Sequence, residues 1–178
     1  MKSTVRLSFE EYLKLCARVE KIVAGIYAHW SQAPGHDAAR ELWFAMQAEE
    51  EDHFNQIEML RRMIRHREDP GTRTMSDGHV VKLVAYAEQC LTRIKASALS
   101  ARKAIILAIQ LEDLFQNFHV SQACDCKDTG MKALFKDMAR NDNRHATRLK
   151  EAYKTRYSVD PPVRLLDYRQ VLDGGAAV

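Results

Sequence analysis

Apolar residues recur along most of this chain at intervals of three or four positions, which is the spacing of one face of an α-helix. No stretch shows the sustained alternation of apolar and polar residues that is typical of a half-buried strand. The pattern therefore predicts an all-α fold built from long helices.

The first two predicted helices form an antiparallel hairpin because the segment between them is short. Ser8 and Glu11 have the spacing of a capping box and begin the first helix. After a Pro-Gly pair, Asp37 is expected to cap the second helix, which ends at the Asp-Pro-Gly sequence of residues 69–71. The inner faces are predicted to be Tyr12, Cys16, Val19, Val23, Ile26, Tyr27 and Trp30 in the first helix, and Leu42, Met46, Glu50, His53, Ile57, Leu60 and Ile64 in the second.

A second hairpin is predicted after a long crossover, which itself contains an extra helix beginning at Asp77. Ser100 is expected to cap the next helix, and residues 124–130 form the turn before the last one. The expected architecture is an antiparallel, ferritin-like four-helix bundle. The inner faces are predicted to be Val80, Val84, Ala87, Leu91 and Ile94 in the extra helix, then Ile105, Ala108, Ile109, Glu112, Phe115 and His119, and finally Leu134, Met138, Asp142, His145, Leu149 and Ala152.

The length of 178 residues fits one domain, which we place at residues 1–160, followed by a partly frayed tail at 161–178. No long uncharged apolar run and no secretion signal are present, so we expect a cytoplasmic protein without a membrane span. The basic residues behind the net charge of +3 are dispersed among acidic ones, so no nucleic-acid partner is expected.

The four cysteines include no Cys-x-x-Cys pair, which excludes a zinc ribbon and a rubredoxin-type iron site. We expect reduced thiols. Cys124 and Cys126 are interpreted as structural, because two thiols alone make a poor metal site.

Four carboxylates interrupt the apolar inner faces of the hairpin helices, namely Glu20, Glu50, Glu112 and Asp142. A buried ionised carboxylate is costly unless it is paired, hydrogen-bonded or coordinated to a metal. Two of the four have a histidine three residues later, on the same helical face, and these are His53 and His145. Each such pair can chelate a metal ion.

The two hairpins repeat this arrangement at one spacing. In each, the first glutamate precedes the second carboxylate by 30 residues and the histidine by 33. Antiparallel packing would bring all six side chains to the middle of the bundle. Carboxylates and imidazoles suit iron, manganese or zinc, and six ligands are enough for two metals that share bridging carboxylates.

In Glu20, residues 49–53, Glu112 and residues 142–145, the chain resembles the ferritin-like carboxylate proteins, and most closely their rubrerythrin branch. The resemblance covers residues 8–157. It implies a centre of two iron ions, for which manganese or zinc could substitute. The implied bridging ligands are Glu50 and Asp142, the terminal carboxylates Glu20 and Glu112, and the histidine ligands, one for each metal, His53 and His145.

Asp142 departs from the family, which usually has glutamate at this position. The aspartate side chain reaches about 1.5 Å less far, so the second metal is expected to bind more weakly. The absence of Cys-x-x-Cys pairs implies that electrons come from a separate donor protein.

The resemblance implies an oxidoreductase, as a homodimer, whose iron pair reacts with hydrogen peroxide or dioxygen. An iron-binding protein of the ferritin type and a di-iron monooxygenase with an organic substrate remain alternatives. A bundle that uses metal for stability alone, or one whose polar side chains pair without metal, also remains open.

Three further residues lie near the predicted ligands. Glu49 shares a helical face with His53, but the matched spacing favours Glu50. His119 is interpreted as a core histidine, or as one that orients a metal ligand without binding the metal itself. Tyr27, at the matching position of the first hairpin, is interpreted as a core aromatic or as a hydrogen-bond donor or radical relay beside the metals.

Overall fold

The computed structural model describes residues 7–64, 77–126 and 128–162. Its five α-helices are α1 (Phe9–Gln32), α2 (Arg40–Ile64), α3 (Asp77–Ala96), α4 (Ala101–Asp125) and α5 (Thr129–Tyr157). The described residues contain no strand, so the all-α prediction is confirmed. The predicted helix end at 69–71 and the tail from residue 163 lie outside the described residues.

The helices belong to two compact units, one with α1, α2 and α3 and the other with α4 and α5. None of the helices in the described ranges has the length and apolar character that crossing a membrane would require.

Helix α1 begins with the capping box that the sequence predicts. The Ser8 N–H donates to Glu11 Oε2 at 2.8 Å, and the Glu11 N–H donates to Ser8 Oγ at 3.2 Å. Every residue predicted for the inner face of α1 is buried. The buried face of α1 is wide because this helix packs against both α2 and α3.

Helices α1 and α2 are antiparallel, since Arg61 near the end of α2 donates to Glu10 near the start of α1 at 2.8 Å. The predicted start of α2 is wrong. Asp37 lies in a short 3-10 turn, Asp37–Ala39, where its carboxylate accepts a hydrogen bond from Arg40. The α-helix therefore begins only at Arg40.

Helix α3 confirms the extra helix predicted in the crossover and packs against α1. Arg18 of α1 forms an ion pair with Glu88 of α3. A methyl group added at Gly25 of α1 would lie 4.0 Å from Leu91, so the glycine lies at the contact between the two helices.

Helices α4 and α5 form the second hairpin, and each begins at a side-chain cap. Ser100 accepts from the Lys103 N–H, as predicted, and Asp128 accepts from the Met131 N–H at 2.9 Å. The Asp128 cap starts α5 at Thr129, so the turn is shorter than the predicted segment of residues 124–130.

Candidate metal centre

The first hairpin brings three potential metal ligands together, Glu20 from α1 and Glu50 and His53 from α2. His53 Nδ1 lies 3.2 Å from Glu50 Oε2 and 3.5 Å from Glu20 Oε2. One ligand atom from each residue lies within 4.8 Å of the other two. All three side chains are buried, with exposed fractions of 3% or less.

The local sequence explains why these side chains meet. The three-residue step between Glu50 and His53 places both on the face of α2 that packs against α1. Antiparallel packing then places Glu20 opposite this pair, since both lie near the middle of their helices.

The electrostatics of the cluster are dominated by its two carboxylates. Burial alone lowers the pKa of His53, but hydrogen bonds and charge interactions with Glu20 and Glu50 outweigh burial and raise this pKa to about 11. An imidazolium can therefore balance part of the buried negative charge. A divalent metal ion would balance the charge of both carboxylates.

The donor set fits a metal ion in type and in spacing. A metal held at about 2.1 Å from its ligands places neighbouring ligand atoms about 3.0 to 3.4 Å apart, from octahedral to tetrahedral geometry. The distances of 3.2 and 3.5 Å from His53 Nδ1 to the two carboxylates are close to this range. Two carboxylates and one imidazole also match the ligand preferences of iron, manganese and zinc.

The second hairpin repeats the first in part. His145 Nδ1 of α5 lies 3.2 Å from Glu112 Oε2 of α4. In the first hairpin the equivalent pair, His53 Nδ1 and Glu20 Oε2, is 3.5 Å apart. Both side chains are buried, with exposed fractions of 1% or less. This pair provides two potential ligands for a metal ion.

Asp142 has a different neighbour from its counterpart Glu50. Its Oδ2 lies 2.7 Å from Nδ1 of His119 on α4, and both side chains are buried. Among the residues that the structure describes, no group of three ligand atoms within 4.8 Å includes Asp142.

The six predicted ligands are thus all buried, and the structure joins three of them in the first hairpin and two in the second. Glu49 is only half-buried. Within the described residues it belongs to no group of three ligand atoms that lie within 4.8 Å of one another, whereas Glu50 belongs to such a group. Tyr27 is fully buried and stacks on Trp43, with ring centroids 5.9 Å apart.

Sequence reasoning missed two residues next to the turn of the first hairpin. His36 is not among the predicted inner-face or site residues, but it is buried and accepts a hydrogen bond from Trp43 Nε1 at 3.2 Å. The predicted inner-face residue Leu42 is only half-buried, and the neighbouring Trp43 is buried in its place. Its size and apolar character were the available signal, since large aromatic side chains are usually buried.

The described residues therefore form a helical chain with buried glutamate and histidine clusters that could hold metal. No family model, curated protein or solved structure matches this chain.

Proposed function

We propose that this protein is a ferritin-like di-metal protein, in which the two hairpins pack as one four-helix bundle around two iron ions. The buried cluster of Glu20, Glu50 and His53 is the main support, because its ligand atoms have the spacing of metal ligands. The repeated spacing in the second hairpin, with Glu112 and His145 in contact, supports a second metal position.

The proposed activity is reduction of hydrogen peroxide or dioxygen. Bound iron would supply the electrons and the binding position for the oxidant. Glu20 and Glu50 would balance the charge of the ion, and their burial would limit access of water. His53 Nδ1 would lose its proton before binding, because a metal ligand must offer a free electron pair. A separate donor protein would return the electrons.

Elemental analysis tests the proposal first. Protein purified without chelator, and protein loaded with ferrous iron under anaerobic conditions, should contain about two irons per chain, as expected for paired carboxylate and histidine sites. Glu50→Ala and His145→Ala should each lose metal. Glu51→Ala is the matched control, because Glu51 is exposed on the same helix and should leave the metal content unchanged.

The iron-loaded protein should then consume hydrogen peroxide or dioxygen faster than the same concentration of free ferrous iron. Iron content near zero after anaerobic loading would overturn the metal proposal. Two bound irons that react with neither oxidant above the rate of free iron would overturn the redox proposal alone, and would favour iron binding or stabilisation.

A further inference from the structure

The two hairpins differ at one position that the repeat makes equivalent. The residue seven positions after the first glutamate is Tyr27 in the first hairpin and His119 in the second. Tyr27 stacks on Trp43 in a buried aromatic cluster. His119 instead contacts Asp142, one of the six predicted ligands.

The contact between His119 and Asp142 is short and enclosed. His119 Nδ1 and Asp142 Oδ2 are 2.7 Å apart, and neither residue is more than 1% exposed. The imidazole also lies nearly parallel to the ring of Phe135, with centroids 6.0 Å apart and an interplanar angle of 22°. Neighbours on two sides thus fix the orientation of His119.

This hydrogen bond restricts how Asp142 can bind metal. An ionised carboxylate only accepts hydrogen bonds, so Nδ1 of His119 carries the hydrogen and this N–H donates a hydrogen bond to Oδ2. A carboxylate that bridges two metals commonly uses one oxygen for each. The hydrogen bond from His119 occupies one lone pair of Oδ2 and fixes its direction, so Oδ1 is the better placed of the two oxygens to bind metal.

We propose that His119 is a positioning residue that orients Asp142 as a one-oxygen ligand of a single metal and keeps it from bridging two. The inference rests on the proposed function, and it replaces the bridging role that the family resemblance implies for Asp142. It makes the two metal positions chemically unequal. Glu50 of the first hairpin contacts His53 of its own cluster, whereas Asp142 of the second hairpin contacts His119.

Metal titration of His119→Phe tests the positioning role. Phenylalanine keeps the ring against Phe135 but removes the donor to Asp142. Removing a hydrogen-bond partner of a metal ligand typically weakens metal binding about 10- to 100-fold. We therefore expect one of the two binding steps for Mn²⁺ or Co²⁺ to weaken by this factor, while the other step is unchanged.

Two further variants separate positioning from general damage to the fold. His119→Asn places an amide N–H close to the position of Nδ1 and should recover most of the lost affinity. Val120→Ala, at an exposed neighbouring position of α4, should bind both metals as the wild type does. The visible absorption of bound Co²⁺ should change in His119→Phe and return in His119→Asn, which a loss of packing alone would not produce.

A crystal structure of the Mn²⁺-loaded wild-type protein tests the one-oxygen role directly. We expect Asp142 to contact one ion through one oxygen while its other oxygen accepts from His119. An Asp142 that spans both ions would overturn the inference, as would two unchanged binding steps in His119→Phe. Wild-type protein that binds no metal would overturn the proposed function and this inference together, so the two failures are distinguishable.

Discussion

Trp43 Nε1 donates a hydrogen bond to His36 Nδ1 over 3.2 Å, and both side chains are buried. The bond joins the start of α2 to the turn after α1. Trp43 also stacks on Tyr27 of α1, and its ring lies 5.1 Å from that of Trp30. This buried aromatic cluster stabilises the hairpin at the end next to its turn.

Replacing His36 with alanine should destabilise the protein. The Trp43 N–H would remain buried without this acceptor, which costs about 1 to 3 kcal/mol in free energy of unfolding. Urea unfolding measures the loss. In a Trp43→Phe background the donor is already absent, so His36→Ala should cost clearly less there. Equal losses in the two backgrounds would show that the hydrogen bond contributes nothing to stability.

Cys90 of α3 should react slowly in the folded protein. Burial raises the pKa of its thiol to about 11, although a hydrogen bond with Tyr86 acts in the opposite direction. At pH 8 this lowers the thiolate fraction about a hundredfold relative to an ordinary thiol. Mass spectrometry after iodoacetamide treatment should therefore show alkylation of the exposed Cys124 first.

The control for this experiment is the same reaction in concentrated urea, where Cys90 and Cys124 should react at similar rates. Equal rates in the folded protein would contradict the prediction.

Much of the helical fold follows from the sequence pattern. The Ser8 capping box, the Ser100 cap and the start of α3 are all correct, because caps and periodicity are local signals. Phe135 and Tyr153 are buried, whereas their predicted inner-face neighbours Leu134 and Ala152 are only half-buried. At these two ends of α5 the buried face lies one position later than the apolar pattern predicts, because the larger aromatic side chain of each adjacent pair takes the inward position.

The candidate site was predictable in its residues but not in its contacts. Helical spacing determines which side chains share a face, and it placed Glu50 and His53 together. It does not determine which atom a side chain reaches. It left open whether His119 is a core residue or supports a ligand, and it did not identify Asp142, 23 residues away, as the partner of His119. The joining of the two hairpins into one bundle stays a prediction.

The capping box at the start of α1 should contribute measurably to stability. Ser8→Ala removes the acceptor for the Glu11 N–H, which typically costs about 1 kcal/mol in free energy of unfolding. Ser8→Asp keeps an acceptor and should stay within a few tenths of wild type. Thermal or urea unfolding distinguishes the variants, and equal stability of Ser8→Ala and wild type would contradict the expected role of the cap.

The stability of the metal-free protein should fall as the pH rises above neutrality. His53 has a pKa raised to about 11 in the folded state, against about 6.5 in the unfolded chain. Between these values the folded state holds a proton that the unfolded state has lost, so stability decreases by up to about 1.4 kcal/mol per pH unit. Urea unfolding of chelator-treated protein at pH 7, 8 and 9 should show this slope, and His53→Gln should lack it.

Metal binding should show the opposite dependence on pH. A metal ion needs the unprotonated Nδ1 of His53, so binding competes with the proton and affinity rises by up to about tenfold per pH unit. Calorimetric titration with Zn²⁺ in two buffers of different ionisation enthalpy counts the protons released. At pH 7.5 we expect about one proton more from wild type than from His53→Gln, if the latter retains measurable binding through Glu20 and Glu50. Zinc affinity that is constant between pH 6.5 and 8.5, with no release of protons, would mean that His53 is not a ligand.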